Sequence, residues 1–124
     1  MTCVRNERGL SQSVQYAVIF PTLMLSTLGI IQAGVWIHGR NVVARSAASA
    51  ADVARGSAGS AADAHQSALR LATAGGLENV QVRVSRGAAR VDVTVTAQAP
   101  LIFDVGLGRI SETASAPVER VTQP

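Results

Sequence analysis

Histidine, cysteine, paired carboxylates and activated hydroxyls do most protein chemistry, and this sequence offers few of them in usable company. His38 and His65 are the only histidines, and neither has a second ligand at metal-binding spacing. His38 reads as a membrane-interface residue and His65 as a helix-surface residue. Cys3 is the only cysteine, so neither an intramolecular disulfide nor a cysteine metal site can form. It precedes the long apolar stretch rather than following it, which argues against a lipid anchor and for an incidental thiol. The acids Asp52, Asp63, Glu78, Asp92, Asp104, Glu112 and Glu119 are scattered. Gly106-Leu107-Gly108 lacks the rest of a phosphate-binding loop, and no serine sits in a nucleophile motif. The expectation is a non-enzymatic chain with no cofactor, no metal and no small-molecule substrate.

Charge adds another exclusion. Eleven arginines face eight acids for a net charge of +3, and lysine is absent. The arginines are spread along the chain rather than gathered in a patch, so nucleic acid is not an expected partner.

What the sequence does carry is a membrane element. Val14 to Ile37, VQYAVIFPTLMLSTLGIIQAGVWI, contains no Asp, Glu, Lys or Arg. At about 1.5 Å per residue, roughly 24 residues cross a hydrocarbon core of about 30 Å with some tilt. A helix satisfies its own backbone in lipid, which a lone strand cannot do. Tyr16 and Trp36 stand near the two ends, where amphipathic rings settle at the headgroups. Pro21 should loosen the turn before it, with Thr22 a candidate to take the freed carbonyl. Two other readings compete. A soluble core helix would need a larger and less polar protein around it. A cleaved signal peptide has an apolar region of about 7–15 residues, shorter than this one. Arg5 and Arg8, offset by Glu7, precede the segment and Arg40 and Arg45 follow it, so charge alone leaves orientation open.

Beyond the apolar stretch, alanine-rich sequence favours continued helix, giving a first helix from about Ser11 to Arg55. Ala44, Ala47, Ala51, Ala54 and Ala58 make a stripe of small residues that would let another helix approach closely; chance stripes in alanine-rich helices are the other reading. Gly29, Ala33 and Gly34 extend the helix-packing set into the apolar segment. Ser60-Ala61-Ala62-Asp63 resembles a capping box and opens a second helix, with Leu69 and Leu71 as its only large apolar residues and Gly75-Gly76 as its stop. The period then changes to two. Val80, Val82 and Val84, then Val91, Val93 and Val95, alternate with polar residues around Gly87, which predicts a hairpin. A lone hairpin is marginal, so Ile110 to Val118 is expected as a third strand, with Pro117 at an edge or end. Ala99 to Arg109 reads as a loop or short helical turn, and Arg120 to Pro124 as a frayed tail.

The predicted fold class is α+β. A long N-terminal transmembrane helix continues into a second short helix, and both pack on a small antiparallel three-stranded sheet. The expected divisions are a leader-like segment at 1–13, a membrane helix at 14–37 and an α+β domain at 38–124.

Several of these residues, taken in order, resemble a known family. They are Glu7-Arg8-Gly9, then Val14-Gln15-Tyr16-Ala17-Val18-Ile19-Phe20-Pro21, Leu23, Leu25, Leu28-Gly29-Ile30 and Gly34. Arg40-Asn41-Val42-Val43-Ala44-Arg45-Ser46-Ala47-Ala48 and Ala51-Asp52-Val53-Ala54-Arg55-Gly56 continue the series. The pattern resembles the TadE-like family, small pseudopilin-type proteins of tight-adherence (type IVc) pilus systems. The resemblance implies a pilin-like fold, a cytoplasmic N-terminus, an extracytoplasmic domain and a role in pilus assembly. Its implied partners are membrane lipid, other pilin or pseudopilin subunits and assembly-platform proteins. It also implies prepilin peptidase cleavage between Gly9 and Leu10. Gln15 stands where the family has glutamate, and six residues after Gly9 rather than five, so the charge that would align a neighbouring subunit is missing. The alternative is a membrane-tethered accessory subunit of a secretion or envelope complex.

Overall fold

The computed structural model describes residues 7–56 and 60–118, the side chains of Glu7 and Arg8 excepted. Expectations for Cys3, Arg5, Ala58 and the tail from 119 onward lie outside the described residues. The element order is α1 (Glu7–Arg55), α2 (Ala61–Ala74), β1 (Glu78–Arg86), β2 (Arg90–Gln98) and β3 (Arg109–Pro117). The α+β class, the long first helix, the short second helix and the three-stranded antiparallel sheet all match the expectation. The chain divides into two compact units, Met1–Ala33 and Gly34–Pro124.

In the first unit, α1 is helical through Pro21. Proline has no backbone donor, so the Ala17 carbonyl loses its usual helical partner. Thr22 does not replace that donor. Its hydroxyl donates instead to the Val18 carbonyl at 2.7 Å. A side-chain hydroxyl returns most easily to the carbonyl four residues back, which for Thr22 is Val18 and not Ala17.

The second unit is built on a valine-faced sheet in the order β1-β2-β3. Both pairings are antiparallel, with Val93 opposite Val84 on one side and Ala114 on the other. Because side chains alternate along a strand, Val91, Val93 and Val95 of the central strand all point the same way and are fully buried. The opposite face is polar and cross-linked: Thr94 pairs with Thr113 at 2.9 Å, and Thr96 donates to Ser111 at 3.1 Å. Such cross-strand pairs contribute about 0.2–1 kcal/mol each. Asn79 adopts a positive φ of 49° where the β1 register shifts, a conformation asparagine tolerates, and its amide reaches Gln98 at 2.7 Å.

Small side chains fill the rest of the core. α1 contributes Val43, Ser46, Ala47, Ala50, Ala51 and Ala54, and α2 contributes Ala64, Ala68 and Ala72. The buried face of α2 is therefore alanine. Leu69 is half-buried and Leu71 is 42% exposed, so the leucines do not form its packing face. Ser46 is wholly buried, and its hydroxyl is satisfied by the Val42 carbonyl at 2.8 Å. Ser49 and Ser67 meet at 3.3 Å between the two helices.

Capping follows the sequence. Ser60 caps α2, its hydroxyl accepting from the Asp63 backbone at 3.1 Å and donating to the Asp63 carboxylate at 2.9 Å. At the other end the left-handed residue is Gly76, with φ +85°, while Gly75 keeps an ordinary φ of −77°. Gly75 serves a different purpose. A Cβ there would collide with both methyls of Val42. Gly39 likewise lets α1 come close, since a Cβ would sit 3.1 Å from Ile110 and 3.2 Å from Ala99.

Two substitutions test this packing. Gly75→Ala overpacks the Val42 contact and should cost about 1–3 kcal/mol. Ser60→Ala removes a helix cap and should cost about 1 kcal/mol. Urea unfolding of the full-length protein in detergent reads both. An unchanged midpoint for Gly75→Ala would mean that the α1 approach is not tight there.

Candidate membrane and subunit interface

The feature that demands a partner is the first part of α1. Leu10, Val14, Tyr16, Val18, Phe20, Leu23, Met24, Leu25 and Ile30 are each 60–73% exposed. No part of the most apolar stretch of α1 is buried. A core helix of a soluble protein would be covered by its own chain. Fully covering one such side chain is worth about 1.5–3 kcal/mol, so a row of them strongly favours lipid or neighbouring helices over water.

The polar groups in this stretch are arranged to suit lipid. Ser13, Thr22, Ser26 and Thr27 each donate to the carbonyl four residues back, at 3.0, 2.7, 2.8 and 2.9 Å. Hydroxyls satisfied within the helix cost little in a bilayer. Gln15 is exposed on the helix surface.

The candidate packing residues fall into two groups. Gly29, Ala33 and Gly34 are exposed, and neither glycine has a heavy atom within 4 Å of where a Cβ would stand. They leave flat helix surface within reach of another chain. Ala44 is also exposed. Ala47, Ala51 and Ala54 are buried in the protein's own core. The Gly9–Leu10 bond lies in the first turns of α1, where the Ser13 hydroxyl binds the Gly9 carbonyl.

A cluster at the end of the apolar stretch gave no sequence signal. The Trp36 indole donates to the Leu107 carbonyl at 3.1 Å, and the Arg40 guanidinium stands 5.7 Å from the Trp36 ring centre. Arg40 also pairs with Glu112 at 3.1 Å. The pair is largely exposed and contributes at most about 1 kcal/mol, so its use is positional. His38 lies 3.3 Å from the Gly75 carbonyl, and His65 is exposed on α2. Among the described residues, no three His, Cys, Asp or Glu side chains are grouped to hold a metal ion.

Residues 11–52 match the family model described as TadE-like protein. That segment is similar to TadE-like proteins. The match covers about a third of the chain and spans the exposed apolar row from Val14 onward, Gln15, and the small residues from Gly29 to Ala51. It agrees with the resemblance read from the sequence, and the family it matches is associated with Tad pilus components in general. Together with the exposed apolar helix, it supports membrane anchoring. No curated protein and no solved structure matches the chain.

Leu25 sits at the middle of the apolar stretch and is 69% exposed. Leu25→Arg should disfavour membrane insertion by about 2.5–3.5 kcal/mol. A translocation reporter fused after residue 40 reads the inserted fraction. An inserted fraction equal to that of the native segment would argue that this stretch does not reside in hydrocarbon.

Proposed function

We propose that this protein is a TadE-like minor pilin, or membrane-anchored assembly component, of a tight-adherence (type IVc) pilus system. It acts without catalysis, by packing its first helix among other pilin helices in the membrane or filament. The observation that carries this reading is the uncovered apolar row of α1 within the TadE-like match. An N-terminus in the cytoplasm and an α+β domain outside complete the proposed topology. Partners are bilayer lipid, other pilin or pseudopilin subunits and the assembly platform.

Small residues support the packing role. Gly29, Ala33 and Gly34 let a neighbouring helix approach without a side-chain barrier. Gln15 can offer a neutral amide hydrogen bond but not the charge of a glutamate. Attraction to a neighbouring N-terminal amine is correspondingly weaker.

The domain after residue 52 lies beyond the match, which favours one second reading: a membrane-tethered accessory subunit of a secretion or envelope complex.

Deletion of the gene should abolish or sharply reduce surface pili seen by electron microscopy, with restoration on complementation. Unchanged piliation would favour the second reading. Mass spectrometry of the mature protein should find a chain beginning at Leu10; one beginning at Met1 would exclude processing while leaving the assembly role intact.

A further inference from the structure

The loop between β2 and β3 is unusually apolar for a solvated connection. Ile102, Phe103, Val105 and Leu107 are 61%, 60%, 77% and 66% exposed. Connecting loops normally show water a polar surface, and a compact exposed apolar patch marks a contact site. The loop's one charge, on the exposed Asp104, is bonded to the loop's own backbone. Asp104 accepts from the backbone of Gly106 at 2.8 Å and of Gly108 at 3.3 Å, and its other oxygen lies against Gly108. Gly106, with φ +86°, permits that turn. The base is closed by Ala99 donating to the Gly108 carbonyl at 2.8 Å. The loop is thus a small, fixed apolar knuckle with its carboxylate already satisfied.

Its position identifies the occupant. The Trp36 indole holds the Leu107 carbonyl, and Trp36 and Ile37 end the uncharged stretch of α1. Tryptophan at the end of a membrane helix settles at the headgroup level. A loop bonded to that indole shares the level of Trp36. Arg109 is exposed at the loop's base, placed to meet anionic headgroups.

We infer that residues 101–107 form a second, interfacial membrane contact, inserting Phe103, Val105 and Leu107 into the leaflet from which α1 emerges. The inference rests on the membrane reading of α1. Insertion by about 5–10 Å is the depth at which interfacial apolar side chains sit.

The test uses the full-length protein with Cys3→Ser and single cysteines at Val105, Met24 or Ser85, each carrying a fluorophore. The probe membrane is phosphatidylethanolamine with phosphatidylglycerol, with and without spin-labelled lipid. The label at 105 should be quenched by the labelled lipid and shielded from aqueous iodide about threefold relative to the label at 85. Iodide access at 105 equal to that at 85, with 24 still in lipid, would overturn the loop contact and leave the helix reading standing. Water access at 24 as well would overturn both. Cross-linking of 105 to 105 between copies, without lipid quenching, would assign the knuckle to a subunit contact and overturn the inference.

Discussion

A row of large apolar side chains along α1, from Leu10 to Ile31, stands exposed among the described residues. Everything else about the protein follows from where that row goes. A small domain has a total stability of about 5–15 kcal/mol. Leaving several such side chains in water forfeits about 1.5–3 kcal/mol apiece, an amount of the same order. The domain behind the helix cannot offset that loss, because its own core is mostly alanine and valine, with Leu77 and Ile110. The helix must therefore find hydrocarbon or other helices. Its internally bonded hydroxyls and the lack of formal charge from Val14 to Ile37 suit both environments.

The small-residue core has consequences of its own. Alanine on α1 and α2 allows backbones to come near each other, and Gly39 and Gly75 extend this to the sheet and to Val42. Each buried methyl contributes little, about 0.8 kcal/mol per carbon, so close fit replaces bulk. A domain built this way is sensitive to one added carbon at a glycine. It also gives the central strand unusual weight, since Val91, Val93 and Val95 are the largest wholly buried apolar side chains beside Val43.

Much of this was legible in the residues. The uncharged stretch, the valine alternation, the Ser60 cap and the third strand each rest on local patterns with strong contrast. The alanine stripe did not have that contrast. Between residues 43 and 54 nearly every position is small, so a helical period cannot choose its phase. The buried face centres on Val43, Ser46, Ala47 and Ala50, and Ala44 points outward. Leu69 and Leu71 are the only large apolar residues of α2, yet the tight helix approach places Ala64, Ala68 and Ala72 in the core. The Trp36–Leu107 and Arg40–Glu112 contacts join residues about 70 apart, and no local pattern announces them. The TadE-like match ends at residue 52, so the site's second half is known only from its geometry.

The most direct test of the account is alkaline carbonate extraction of native membranes carrying the full-length protein, followed by sedimentation. An α1 that lies in hydrocarbon keeps the intact chain in the membrane pellet. Release of that chain into the supernatant as a stable, soluble species would contradict the account, because the apolar row would then be tolerated by water.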